Sequence, residues 1–152
     1  MKSGMTMKLE RALYEYSGAD RVGIYGCFEV SLGCGYGNER VDFMTMDSKD
    51  EFRCYEIKSS EEDFTSDAKL SFVGDYNYLL ITYELYELKA KISVSEKLKN
   101  LFIHGIGLLI YDNGKIKLEH KAKKKNITTA NRIELMHSMI RSLSRYCIHE
   151  FD

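Results

Sequence analysis

With 152 residues, 44% of them apolar and 30% charged, the chain is long enough for one domain with a real core and too apolar to be disordered. No run approaches the roughly 18 apolar residues of a membrane span. The N-terminus carries no apolar signal region, so a cytoplasmic protein without membrane contacts is expected. Net charge is only −1, yet residues 39–67 hold ten acids against four bases, and residues 115–145 hold nine bases against two acids. A segment suited to a cation thus accompanies one suited to phosphate.

Residues 7–16 place Leu9, Ala12, Leu13 and Tyr16 at helical spacing, with Thr6 as N-cap and Gly18 as stop. A strand over 22–32 runs into a glycine-rich turn at 33–37, and strands over 41–46 and 52–57 form a hairpin. Ser59 or Ser60 caps a second helix, its first turn acidic, which Phe64, Ala68 and Phe72 continue. A strand over 76–83 and a helical stretch over 84–100 follow. Next come a strand over 103–111, a turn at Asp112-Asn113-Gly114 and a return strand over 115–120. In the last helix Ile133, Met136, Ile140, Leu143 and Cys147 trace the apolar stripe expected to face the core, with Thr128 or Thr129 as cap. This order predicts an α/β fold, a single domain over 1–152 with a mixed sheet covered by helices. The four cysteines (Cys27, Cys34, Cys54, Cys147) lack zinc-site spacing with the four histidines. They read as packing thiols, Cys54 and Cys147 lying on apolar stripes.

The chemistry concentrates in residues 41–60. A hairpin turning about Lys49 sets Asp42 opposite Glu56, and period-two alternation puts Lys58 on the same face, beside Met44, Met46 and Cys54. The other face reads Val41, Phe43, Tyr55 and Ile57. Two carboxylates with Cβ atoms about 5 Å apart repel each other unless a cation lies between them. Oxygen ligands suit Mg²⁺ or Mn²⁺, and a lysine beside metal-bound water suits phosphodiester hydrolysis. The structural alternative is a cross-strand salt-bridge cluster at a sheet edge.

Asp42 with Glu56-Ile57-Lys58 resembles the Asp…Glu-x-Lys signature of the PD-(D/E)xK, restriction-endonuclease-like superfamily. The longer run from Glu56-Ile57-Lys58-Ser59-Ser60 through Asp63-Phe64, Asp67 and Lys69 is similar to its MmcB-like DNA-repair branch. Asp75-Tyr76-Asn77-Tyr78 and Gly107-Leu108-Leu109-Ile110 resemble that branch's later strands. The resemblance implies an α-β-β-β-α-β core, with an added hairpin and C-terminal helix here. It also implies metal ligation by Asp42, Glu56 and the Ile57 carbonyl, with Glu10 as an accessory carboxylate. Lys58 would orient water or offset charge on phosphate. Val41 stands where the name-giving proline is found, a variable position.

Among neighbouring residues, Glu29 either faces the metal or points outward, and Asp63 and Asp67 read as helix-capping acids. Lys69 is a candidate substrate contact. Lys123, Lys124 and Lys125, with Arg141 and Arg145 one turn apart, are candidates to track a DNA backbone. The leading expectation is a Mg²⁺- or Mn²⁺-dependent DNA endonuclease or repair nuclease. The alternatives are a non-catalytic nucleic-acid- or protein-binding module on the same fold, and an interaction protein with an acidic docking surface. A homodimer or partner protein is expected to supply specificity.

Overall fold

Strand-forming and helix-forming stretches alternate along the chain, and the computed structural model, which describes residues 2–33, 39–66 and 70–151, assembles them on one sheet. α1 (Gly4–Tyr16) precedes β1 (Ile24–Ser31), β2 (Arg40–Asp47) and β3 (Phe52–Lys58). Then come α2 (Glu61–Thr65), β4 (Tyr76–Thr82), α3 (Tyr83–Glu87), α4 (Ile92–Ile103), β5 (Gly107–Asp112), β6 (Lys115–His120) and α5 (Thr129–Ile148). The six strands lie in chain order. β3–β4 and β4–β5 are parallel and the other pairs antiparallel, a mixed α/β sheet as expected. Most of the glycine-rich turn, residues 34–38, lies outside the described residues, as do Asp67 and Lys69.

Leu9 and Leu13 of α1 pack on one face of the sheet, against Phe43, Tyr55, Ile57, Leu80 and Leu109. The other face is divided. α4 covers Leu79, Ile81, Leu108 and Ile110, and α5 covers Cys27, Val30, Met44 and Cys54. Burial pushes the Cys54 thiol up to about 12, so it packs as a neutral hydrophobe. No helix of the described residues is long and apolar enough to cross a membrane.

Several elements differ from the sequence reading for local reasons. Ser3, not Thr6, caps α1, accepting the Thr6 N–H at 3.1 Å. The second helix stops at Thr65 because Ser66 turns extended (ψ 155°), and Phe72 lies in an irregular segment. The 84–100 stretch breaks into α3, a 3₁₀ turn at Leu88–Ala90 and α4. Leu85 and Val94 are both buried, yet nine residues of unbroken helix would set them about 180° apart. The break restores the phase. α4 then runs through Ile103 and ends at Gly105 (φ 79°), where the Ile106 N–H donates to the Leu101 carbonyl, so β5 begins later than predicted.

Two corrections concern faces. Val41 packs with Val30 beneath α5, not with Phe43. Both strands change face there without losing register, and Glu29, between the pairs Phe28↔Phe43 and Val30↔Val41, takes a left-handed φ of 53°. On α5 the buried face is Leu135, Ser138, Met139 and Ser142. Ile133, Ile140, Leu143 and Cys147 are exposed and Met136 is half-buried. The small serines let the helix approach β1 closely enough for the Ser31 N–H to donate to Ser142 Oγ.

Asp75 ties this half of the molecule together. It is wholly buried, accepts the Phe52 N–H at 2.8 Å and receives both Arg132 Nη atoms at 2.7 and 3.0 Å. Arg132 also donates to the Asp50 carbonyl, so the start of α5 is clamped to the β2–β3 turn and the entry of β4. Arg132→Ala leaves Asp75 buried without its cation and should cost roughly 2–4 kcal/mol. Urea unfolding would read this loss, and a change under 0.5 kcal/mol would show the clamp to be ornamental.

Candidate active site

The β2–β3 pairing runs from Met46↔Phe52 to Phe43↔Tyr55, so the next opposed residues are Asp42 and Glu56. There the Ile57 N–H donates to Asp42 Oδ2 at 2.8 Å, and the Asp42 side chain takes a place that a backbone carbonyl holds elsewhere in a ladder. The Asp42 carboxyl lies close enough to Glu56 to raise its pKa. Glu56 is only 4% exposed, and its Oε1 accepts the Ser71 N–H at 3.0 Å.

Burial, then the neighbouring Asp42 charge, push the Glu56 carboxyl well above its ordinary range, against the pull of the Ser71 N–H and Lys58. Glu56 is therefore the carboxyl of the site that favours its protonated form. Lys58 lies one pleat beyond Glu56 on the same face, as the pairs Glu56↔Leu79 and Lys58↔Ile81 show. Its side chain is mostly covered, and Nζ donates to Asp63 Oδ1 at 3.3 Å. Asp63 is in turn placed by the Ser60 cap, whose Oγ accepts the Asp63 N–H. The cap thereby positions the lysine's counter-ion.

The structure therefore brings Asp42, Glu56, the Ile57 backbone and Lys58 together. Glu10 lies beside Glu29, with Lys2 Nζ 2.6 Å from the one and 3.7 Å from the other. Among the described residues no group of three or more His, Cys, Asp or Glu side chains could hold a metal ion. The Ser71 amide and Asp63 complete the site. Ser71 contributes through its backbone, which no residue type announces. Asp63 was legible only as a first-turn acid.

The basic residues fall in two places. Lys123 and Lys125 line a groove of about 680 Å³ with Lys97, Asn100, Phe72 and Ile106. Leu70 and Phe72, which flank the Glu56-binding Ser71, both border it. Lys124 points instead to Glu51 at 2.9 Å. Arg145 donates to Ser31 and Ser142 hydroxyls at 3.2 Å, and Arg141 lies near Gly33, so both arginines stand at the β1 edge.

The raised Glu56 pKa makes a pH prediction whose sign is definite. Between the unfolded carboxyl's ordinary value and the raised folded value, the native state binds more protons than the unfolded chain. That contribution to stability is complete below the unfolded pKa and is lost as pH rises through the folded one. Metal-free wild type should thus lose thermal stability from about pH 5 to about pH 9 relative to Glu56→Gln, which mimics the protonated acid. Parallel melting profiles for the two proteins would contradict the raised Glu56 carboxyl.

Comparison with known proteins adds three findings. Among solved structures, SPO1766, a protein of unknown function from Silicibacter pomeroyi, superposes with a TM-score of 0.72 at 22% identity. The match covers 100% of this chain and 94% of that one, and it concerns the fold. Comparison with the curated proteins gives no match. A family model described as DNA repair protein MmcB-like matches residues 2–148, which include every element from α1 to α5. The chain belongs to the MmcB-like DNA repair protein family.

Proposed function

We propose that this member of a DNA-repair family is a divalent-metal-dependent deoxyribonuclease that hydrolyses phosphodiester bonds. The observation carrying the reading is the Asp42–Glu56 contact on a half-buried face with Lys58 beside it. The order α1-β1-β2-β3-α2-β4 also agrees with a restriction-endonuclease-like core.

The donor set fits a hard cation. Asp42, Glu56 and the Ile57 carbonyl offer only oxygen, and Mg²⁺ commonly binds through one or two carboxylates while keeping several waters. An acid raised by burial and by a neighbouring carboxylate marks a place where positive charge is wanted. When bound, such an ion supplies Lewis-acid polarisation of a phosphate and a more acidic water. The rest falls to this chain's own groups. The Ile57 N–H orients Asp42, the Ser71 N–H orients Glu56, and Asp63 holds the Lys58 ammonium where it offsets charge developing on phosphate oxygens. The rival reading is a non-catalytic nucleic-acid-binding module on the same fold.

Cleavage separates the two. Wild type should nick plasmid or cut oligonucleotides with Mn²⁺, and Lys58→Ala should lose on the order of 10²–10³ in rate. The same variant should keep Mn²⁺-induced thermal stabilisation, because an ammonium is not a ligand. Asp42→Ala should lose both. No cleavage by wild type on any DNA would favour the binding module.

DNA affinity gives a second expectation. The double variant Lys123→Glu, Lys125→Glu should weaken binding to all sequences alike and reduce the log–log salt slope by about 2. Lys124→Gln, whose cation already serves Glu51, should change it little. An unchanged slope in the double variant would remove the groove from the DNA interface.

A further inference from the structure

The groove between α4 and the segment after β6 has two kinds of lining. Phe72, Leu101 and Ile106 supply apolar surface, and Lys97, Lys123 and Lys125 supply positive charge. No Asp or Glu lines it among the described residues. Lys125 Nζ donates to a carbonyl, that of Phe72 at 3.4 Å, and not to a carboxylate. Its volume of about 680 Å³ falls within the roughly 300–1,000 Å³ of hollows that enclose a small molecule. The Ser71 amide faces Glu56, while Leu70 and Phe72 on either side of it line the groove. Residues 70–72 are thus a wall shared by the acid pair and the groove.

A phosphate backbone by itself satisfies the lysines and leaves the apolar surface unused. Duplex DNA keeps its bases stacked inside, and its grooves admit a protruding helix or ribbon rather than fill a hollow. A base released from pairing is different. It offers an apolar face to Phe72, Leu101 and Ile106 while its own phosphate stays at the lysine rim. The Asn100 amide on the same wall carries both a donor and an acceptor, as a base edge does. We propose that the groove seats an unpaired base, which makes single-stranded DNA the substrate class. The inference rests on the groove being a DNA contact, and not on cleavage. Stacking tolerates every base, so the groove selects strandedness and not sequence.

Fluorescence anisotropy in EDTA, where metal-dependent cleavage does not intervene, tests it with three probes of about 12 nucleotides. They are a single strand, the same strand in duplex, and a strand of abasic residues. Wild type should hold the single strand on the order of tenfold or more tighter than either of the others. Phe72→Leu, which keeps apolar volume and removes the aromatic face, should lose much of the preference for bases over abasic residues. Photo-cross-linking of a strand carrying 5-iododeoxyuridine should join the base to the peptide holding Phe72 or His104, both on the groove wall. Equal affinity for duplex and single strand overturns the proposal and leaves the groove a DNA contact. Equal affinity for the abasic strand overturns it too, since only the backbone is then read. A preference retained in full by Phe72→Leu, or cross-links confined to other peptides, places the base elsewhere and overturns it equally. Failure to bind any probe removes the DNA reading of the groove itself, and the proposal with it.

Discussion

The hydrogen bond from the Ile57 N–H to the Asp42 carboxylate is the contact on which the site depends. It forms where β2 and β3 leave their regular register, so a side chain rather than a carbonyl satisfies a backbone donor next to Glu56. A carboxylate committed to that amide cannot swing away from Glu56. The pair stays together despite like charge, and burial together with the Asp42 charge pushes the Glu56 carboxyl up. Glu29, with its left-handed backbone, lies on the other side of β2, where β1 and β2 change face at Asp42's position.

The surrounding packing holds that geometry rigid. On the α1 face Phe28, Phe43, Tyr55 and Tyr78 form a row of aromatic contacts across four strands, with centroids 4.3, 5.7 and 5.7 Å apart. On the opposite face Asp75 and Arg132 tie the β2–β3 turn to α5. Residues 70–75, ahead of β4, present the Ser71 amide to Glu56 and border the lysine groove.

What was legible in the sequence is what short-range rules govern. The turn about Lys49 set the register, and the register set Asp42 against Glu56 and Lys58 one pleat on. The Asn113-Gly114 turn, both residues at positive φ, marked the β5–β6 hairpin just as plainly. Misread features are those that depend on partners distant in sequence. The α5 stripe was given to the core because serines carry no hydrophobic signal, although Ser138 and Ser142 are what bring the helix onto β1. Arg132 counted only as one base in a basic segment, since nothing local reveals a carboxylate 57 residues away.

The proposed function stands on Asp42 and Glu56 jointly receiving a divalent cation. Calorimetric titration of Mn²⁺ into wild type and Asp42→Ala tests it most directly. Wild type should bind saturably with about one ion per chain, and the variant should bind none at the same concentrations. Binding of equal strength by the variant, or no binding by wild type at millimolar metal, would contradict it.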